Sequence, residues 1–249
     1  MAISQLGLGT LSMVFLSASL VMLWFIILSG VTSTTPLDKT FFLRADTRGI
    51  TGARPITQWT YFFICGDGNT NCDPAIPALP IGYAWAGGAR NVPAELIGSY
   101  GGDTTSHQYW YLWRFGTVFY LITLFFSVIA FFTGFLSCCS RLGSALSGLI
   151  SLVALFFNTL AVSLMTATFV KMRNAFAADN REASLGTYAF GFAWGSWAAL
   201  LISTVLFCIG RRKEKNVGPT TGRRGWGRRS KSVRSGKSYD GRRVKEEYP

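Results

Sequence analysis

The sequence predicts a mainly α-helical membrane protein: a bundle of four transmembrane helices, a small antiparallel β-sheet in the first extracellular loop, and a disordered basic cytosolic tail. Three observations support this prediction: four long apolar runs, two cysteines on either side of a glycine-rich turn, and basic residues concentrated at the C-terminal end. Of the 249 residues, 49% are hydrophobic and 14% are charged, whereas about a quarter of the residues in a soluble domain are charged.

The apolar runs are residues 1–37, 115–140, 142–170 and 183–210, and none contains Asp, Glu, Lys or Arg. Each exceeds the roughly 20 residues that cross the hydrocarbon core of a bilayer. A soluble protein with four buried helices would need charged outer faces, which these runs lack. The predicted segments are a first span (1–30), an extracellular loop with sheet and disulfide (31–114), a second span (115–137), a short cytosolic turn (138–144), a third span (145–170), a short extracellular loop (171–186), a fourth span (187–210) and the tail (211–249).

The charge distribution predicts the orientation of the chain. Residues 211–249 contain fourteen Lys and Arg against four Asp and Glu, whereas residues 31–114 contain six of each. Basic segments remain on the cytosolic side, so the tail is cytosolic, and four spans place the N-terminus on the same side. We expect the first span to be uncleaved, because it lacks the basic start and the short apolar core of a signal peptide.

The first loop is long enough to hold structure of its own. Residues 41–44, 58–65 and 81–85 have the composition of strands. Cys65 and Cys72 flank Gly66-Asp67-Gly68-Asn69, residues that tolerate the backbone conformations of a tight reversal. If two strands pair around this turn, the cysteines come within disulfide distance, and a disulfide requires the oxidising side of the membrane.

Polar and small residues within the spans predict contacts between helices. Asn158 lies near the middle of the third span, where a buried amide forms a hydrogen bond to another helix. In the fourth span, Gly191 and Gly195 form a GxxxG arrangement that allows close packing, more often inside the same bundle than at a dimer interface. The run of aromatic residues at 109–113 indicates an interfacial belt or, alternatively, a core strand of the loop.

Two features on the cytosolic side predict contacts with lipid. Arg211, Arg212 and Lys213 adjoin the bilayer and are placed to bind anionic phospholipids or phosphoinositides. Nucleic acid is excluded as a partner by the tether to the membrane, and the alternative is a basic tail that only sets topology. Cys138 and Cys139 are juxtamembrane cysteines of the kind that receives palmitate, or else plain thiols.

The sequence contains no catalytic constellation. Its single histidine, His107, has no accompanying cysteines or carboxylates at metal-ligand spacing. No GxSxG, Walker or HExxH motif occurs, and the spans offer no base for a nucleophile. We therefore expect a non-enzymatic protein without metal or cofactor.

Several short motifs occur in an order that resembles the fungal Sur-seven/PalI family of claudin-like tetraspan proteins, over about residues 20–205. The residues that match the family pattern are Trp59, Cys65 and Cys72 in the first loop, Asn158 in the third span, and Asn174 and Gly186 around the second loop. Further stretches that match in kind are Ser29-Gly30-Val31-Thr32, Gly49-Ile50, Leu112-Trp-Arg114-Phe115 and Ala183-Ser-Leu-Gly186.

The resemblance implies residence in eisosome-associated, sterol-rich furrows of the plasma membrane, and roles in membrane organisation, endocytosis and cell-wall integrity. It leaves two alternatives: an accessory subunit of a signalling complex such as ambient-pH sensing, and a claudin-like contact or pore protein. The implied partners are sterol, anionic lipids and other eisosome or plasma-membrane proteins, with homo-oligomerisation left open. Aromatic residues in the outer halves of the spans either form a sterol-binding wall beside Gly191 and Gly195 or fill the bundle core: Trp24, Phe25, Phe115, Phe119, Phe169, Trp194 and Trp197.

Overall fold

The computed structural model describes residues 2–32, 34–137 and 141–216. The chain divides into two units, residues 1–211 and 212–249, and the architecture below is that of the first. The predicted tail beyond Asn216 lies outside the described residues.

Four α-helices dominate the described chain: α1 (Ala2–Ile27), α2 (His107–Ser137), α3 (Arg141–Ala178) and α4 (Thr187–Asn216). Each contains a segment long and apolar enough to cross a bilayer. Their outward-facing side chains include large exposed hydrophobic residues, such as Val14, Phe125 and Phe132 at 61–64% exposure. Such a surface suits lipid and not water. The protein is therefore a multi-pass membrane protein with the predicted four helices.

α2 and α3 are longer than the predicted spans because their ends on the loop side pack against structure outside the apolar core. The aromatic run forms the first turns of α2, where Tyr109 and Trp113 are buried. At the same end of the antiparallel helix pair, α3 continues to Ala178, and Met172 and Phe176 are buried on one face. Residues three or four apart lie on the same side of a helix, so these extensions present an apolar face to the loops.

The loops form a four-stranded antiparallel sheet from β1 (Leu43–Asp46), β2 (Ile56–Trp59), β3 (Ile64–Cys65) and β4 (Ala183–Leu185). The spatial order is β3-β2-β1-β4. In register, Leu43 of β1 lies opposite Trp59 on one side and Leu185 on the other. We call residues 28–32, 34–106 and 179–186 the loop domain. Its sheet joins the first loop to the second, because β4 comes from the second loop.

Three strand predictions need correction. The segment at 58–65 is two strands, because Thr60 Oγ1 accepts a hydrogen bond from the Phe63 amide (3.2 Å) and turns the chain back. The segment at 81–85 is a 3₁₀ helix (Ile81–Ala84) that follows Pro80. The first strand begins two residues later than its prediction, and β4 was not predicted.

Two hydrophobic cores lie along the molecule. The loop-side core runs from beneath the sheet into the adjoining halves of the helices and includes Phe42, Trp59, Trp113, Phe169 and Phe176. The distal core lies at the other end of the bundle and, among the described residues, has five buried members: Leu16, Ala130, Ala154, Leu200 and Phe207.

Candidate functional site

Cys65 and Cys72 form a disulfide, as predicted. Only Cys65 belongs to a strand, since Cys72 follows the turn in irregular chain. Within the turn, the Gly66 amide donates to the Thr70 carbonyl (2.7 Å), and Gly68 has a φ of 68°, which glycine adopts at little cost. The disulfide thus closes a compact turn at the edge of the sheet.

Gln58 of β2 holds this turn against the rest of the loop domain. Its Oε1 accepts from the Asn69 amide (2.9 Å), and its Nε2 donates to Asp67 (3.3 Å). The side-chain amide of Asn69 in turn donates to the carbonyls of Leu37 (2.8 Å) and Thr40 (3.1 Å). A buried amide that satisfies backbone carbonyls in this way fixes a loop that the hydrophobic core alone would leave free.

Trp59, the tryptophan of the family pattern, is fully buried at the centre of the loop-side core. Its ring lies 6.4 Å from that of Trp85 and 5.9 Å from that of Phe176 at the end of α3. Its Nε1 donates to the Ile81 carbonyl (3.0 Å), which gives the one polar atom of the indole a partner. Trp59 therefore links the sheet to the 3₁₀ helix and to the bundle.

Tyr61, in the turn between β2 and β3, anchors the loop domain to two helices. Its hydroxyl donates to the Thr117 carbonyl of α2 (2.5 Å), and its backbone amide donates to Ser29 Oγ just beyond α1 (3.1 Å). Burial raises the pKa of the Tyr61 phenol above its ordinary range. The residue stays neutral and acts as a hydrogen-bond donor at the junction.

The second loop is held to the first by Arg181 and Gly186. The Arg181 guanidinium donates to the carbonyls of Arg48 (2.8 Å) and Asn91 (3.1 Å). The Gly186 amide donates to the Phe42 carbonyl (3.1 Å), and a Cβ at Gly186 would collide with the Phe41 carbonyl oxygen. Glycine is thus required at 186 by the close approach of Phe41, which lies just before β1. Asn174, also in the family pattern, is exposed and accepts from the Arg173 guanidinium (2.8 Å).

The charged residues of the sheet are paired at its surface. Arg44 contacts Asp67 (2.8 Å), Arg48 contacts Asp46 (2.9 Å), and Arg54 contacts Asp73 (2.6 Å). Hydrogen bonds from Arg44 and Arg48 lower the pKa values of Asp67 and Asp46, respectively. These carboxylates are therefore ionised over the whole physiological range.

Nothing in this arrangement points to catalysis. Within residues 2–32, 34–137 and 141–216, no group of three His, Cys, Asp or Glu side chains could hold a metal ion.

The structure separates the predicted helix-packing residues. Gly195 faces α1, where its Cβ would meet the Met22 sulfur. Gly191 is exposed instead, and apart from the adjoining backbone of α4 no described atom lies within 4 Å of the position of a Cβ there. Asn158 is fully buried, but no hydrogen-bond partner for its amide exists among the residues that the structure describes. The predicted interhelical hydrogen bond of Asn158 is therefore not observed.

The aromatic residues predicted to form a sterol-binding wall do not share one role. Phe169 is buried against Phe42 (ring centroids 4.9 Å apart), and Phe25 packs on Phe192 (5.2 Å). The residues of the wall that keep a lipid-facing surface are Trp24, Phe115 and Trp194, at 44–52% exposure, while Phe119 and Trp197 are partly buried.

The predicted lipid-contact sites on the cytosolic side lie wholly or partly outside the described residues. Cys138 and Cys139 lie outside the described residues. Arg211, Arg212 and Lys213 belong to the last turns of α4, but their side chains are also outside the described part. Cys208 is a free, exposed thiol.

Sequence reasoning missed the residues that join the loops to the helices, chiefly Tyr61 and Arg181. Tyr61 lies within a stretch predicted as continuous strand, and Arg181 is one of several charges in a short loop. Their partners are backbone carbonyls far away in the chain, which leave no trace in sequence composition.

Comparison with known proteins gives the family. A model of the SUR7/PalI family matches residues 8–206. The protein SUR7 of Candida albicans is 33% identical over 201 residues, which cover 79% of this chain and 71% of the Candida protein. SUR7 of Saccharomyces cerevisiae is 31% identical over 199 residues (78% of this chain, 64% of the relative).

A further relative from S. cerevisiae is named as a plasma membrane protein and is 28% identical over 206 residues (80% of this chain, 66% of the relative). The chain thus matches slightly less than two thirds of the length of these two S. cerevisiae proteins. Because the family match covers all four helices and the loop domain up to residue 206, this multi-pass membrane protein belongs to the SUR7/PalI family.

Proposed function

We propose that the protein is a non-enzymatic organiser of plasma-membrane domains of the sterol-rich, eisosome-associated furrow type, which supports membrane organisation, endocytosis and cell-wall integrity. Family membership and a relative named for the plasma membrane support this proposal. Within the molecule, the observation that most favours the organiser role is a lipid-facing notch on α4.

The notch lies at Gly191, between two aromatic side chains on the same face of the helix. Tyr188 and Trp194 precede and follow it by three residues and are 44% and 45% exposed, and residues at this spacing are neighbours on a helix surface. The notch is close to the start of α4 at Thr187, and hence near the membrane surface. A flat sterol ring system fits between two such ridges, with its hydroxyl at the level of the first turn.

The proposed topology places both termini in the cytosol and the loop domain outside. The disulfide between Cys65 and Cys72 supports an oxidising location for the loop domain, and the basic C-terminal residues support a cytosolic tail. A second lipid contact is then electrostatic: Arg211, Arg212 and Lys213 bind anionic headgroups of the cytosolic leaflet, at about 1 kcal/mol for each basic residue.

Imaging tests the organiser role. The full chain, tagged with a fluorescent protein, is imaged beside a marker of membrane furrows, with and without residues 217–249. We expect punctate cortical fluorescence that coincides with the marker for the full chain. A uniform distribution would contradict the organiser role, and stoichiometric co-purification with one partner would favour the accessory-subunit alternative.

The apolar contact is tested with a photoreactive sterol and two matched variants. Gly191→Leu fills the notch, whereas Val205→Leu adds bulk to a lipid-facing position (47% exposed) elsewhere on α4. We expect sterol crosslinking to fall severalfold in Gly191→Leu and to stay unchanged in Val205→Leu. Equal crosslinking of the two variants and the wild type would overturn the assignment of the notch.

The electrostatic contact is tested separately. Replacing Arg211, Arg212 and Lys213 with Gln is expected to weaken capture by vesicles that contain anionic lipid, and rising salt should weaken wild-type capture in the same way because salt screens exposed charges. Wild-type capture by the triple variant would refute this contact and leave the sterol notch untouched.

A further inference from the structure

Four polar side chains form a buried group between α2 and α3: Tyr120, Ser127, Ser151 and Asn158, here called the interior polar row. All four are 0% exposed. Counting only the residues that the structure describes, Tyr120 Oη, Ser127 Oγ, Ser151 Oγ and both amide atoms of Asn158 have no hydrogen-bond partner. Buried polar atoms are nearly always paired with protein or with ordered water, so this concentration in one interface requires an explanation.

The spacing of the interior polar row places its members on facing sides of the two helices. Tyr120 and Ser127 are seven residues apart on α2, and Ser151 and Asn158 are seven apart on α3. Seven residues are close to two helical turns, so each pair lies on one face of its helix. Both faces point into the bundle, because all four side chains are fully buried.

Contacts along the antiparallel helix pair fix the levels of these residues. The ring of Phe157 lies 5.8 Å from that of Phe119 and 6.1 Å from that of Phe126, so its neighbour Asn158 lies between Tyr120 and Ser127. Closer to the C-terminal end of α2, Ser147 Oγ donates to Thr133 Oγ1 (3.2 Å). This contact places Ser151 slightly further than Ser127 from the loop domain. The row is therefore continuous along the interface.

Other hydroxyl groups in α2 and α3 donate hydrogen bonds to backbone carbonyls of their own helix. The hydroxyl groups of the interior polar row do not. Thr123 Oγ1 donates to the Phe119 carbonyl (2.8 Å), and Ser147 Oγ donates to the Gly143 carbonyl (3.0 Å). The side chains buried beside the row at Ala130, Ala154 and Ala161 are small. A polar atom without a partner is unfavourable in hydrocarbon, and five such atoms lie together in this interface.

We propose that the interior polar row binds ordered water molecules inside the bundle, centred on Asn158. Water both donates and accepts, so it can satisfy the amide nitrogen, the amide oxygen and the hydroxyl groups together. Tyr61 closes the row towards the loop domain, because its hydroxyl is bound to the Thr117 carbonyl and its ring lies 6.1 Å from that of Tyr120. The row is therefore closed at the end that adjoins the loop domain.

The test is X-ray radiolytic footprinting of the full chain in lipid nanodiscs prepared in ¹⁸O-labelled water, read by mass spectrometry. Bound water activated at its site transfers ¹⁸O to the nearest side chain, so Tyr120 is the reporter. Tyr83, which is 44% exposed, is the positive control, and Phe169, buried among apolar side chains, is the negative control. We expect Tyr120 to be labelled well above Phe169 in spite of its complete burial.

Two variants make the result specific. Asn158→Leu removes the central ligand and is expected to lower Tyr120 labelling about fivefold, because a water needs two to four polar partners to stay ordered. The combined change Ser127→Ala with Ser151→Ala removes two hydroxyls without added bulk and is expected to lower it less. Tyr83 labelling should not change in either variant, and this also reports that the fold is intact.

Two results would overturn the proposal. One is labelling of wild-type Tyr120 at the level of Phe169, which would mean a dry interface. The other is labelling of Tyr120 that both variants leave unchanged, which would mean that water reaches the residue by another route. The test is independent of the organiser role, since neither result depends on sterol, anionic lipid or cellular location.

Discussion

The loop-side core contains large aromatic residues, of which Trp59 and Tyr61 donate hydrogen bonds to backbone carbonyls. Among the described residues, the buried members of the distal core are Leu16, Ala130, Ala154, Leu200 and Phe207. Beneath the sheet, the hydrophobic effect drives burial because the loop domain faces water. Between helices in lipid that driving force is missing, and close packing of small residues with hydrogen bonds takes its place. The loop-side core is therefore stabilised mainly by hydrophobic burial, and the distal part of the bundle by close packing and hydrogen bonds between helices.

The interface between α1 and α4 contains hydrogen bonds that connect the two helices directly. Ser19 Oγ donates to the Ser196 carbonyl (2.9 Å), and Ser203 Oγ donates to the Ser12 carbonyl (2.9 Å). The two bonds are seven residues apart on each helix, and they run in opposite directions across the interface. They fix the register of the two helices relative to each other.

Replacing Trp59 should have the largest effect on stability. Trp59→Ala removes a fully buried indole and leaves the Ile81 carbonyl without its donor, so we expect the free energy of unfolding to fall by about 3–5 kcal/mol. Tyr83→Ala, in the neighbouring 3₁₀ helix, removes a half-exposed ring and serves as the control. Thermal unfolding in detergent measures both. Similar midpoints for the two variants would show that the loop-side core does not depend on its central ring.

The comparison also shows which parts of the structure the sequence can predict. Four charge-free runs predict four helices because lipid imposes one requirement on every residue of a span. The disulfide was predictable because a glycine-rich turn lies between its cysteines. The pairing of β4 was not, since a three-residue strand has no visible alternation and its partner β1 lies far away in the sequence.

The contact partners of individual side chains were the feature least predictable from the sequence. The sequence predicts a hydrogen bond from Asn158 to another helix, and only the packed interface shows that its buried amide has no partner among the described residues. Likewise, Gly191 and Gly195 form one sequence motif, yet the rotation of α4 turns one glycine to lipid and the other to Met22. Sequence spacing gives the face of a helix, and the neighbours of that face depend on how the whole bundle assembles.

A smaller effect is expected at the α1–α4 interface. Ser203→Ala removes a hydrogen bond between helices, whereas Ser17→Ala removes one within α1, from Ser17 Oγ to the Met13 carbonyl (2.7 Å). We expect Ser203→Ala to cost about 0.6 kcal/mol more than Ser17→Ala, the average for such bonds in membrane proteins. Unfolding in mixed micelles measures the difference. A larger loss in Ser17→Ala would mean that interhelical serines do not hold the distal half together.

The smallest effect concerns the surface charges of the loop domain. The pKa of Asp67 is lowered chiefly by its hydrogen bond from Arg44, and a carboxylate with a lowered pKa stabilises the fold above its unfolded pKa of about 4. That contribution is lost as the pH falls through the lower, folded pKa. Since Asp67 is 57% exposed, we expect the ion pair to contribute only a few tenths of a kcal/mol to the free energy of unfolding.

Unfolding midpoints measured from pH 6 to pH 3 should therefore fall slightly less in Asp67→Asn than in the wild type. Asp103→Asn, at an exposed aspartate outside the three ion pairs of the described residues, should follow the wild-type curve. If Asp67→Asn follows that curve too, the Arg44–Asp67 pair adds nothing to the stability of the loop domain, which then depends on its buried contacts alone.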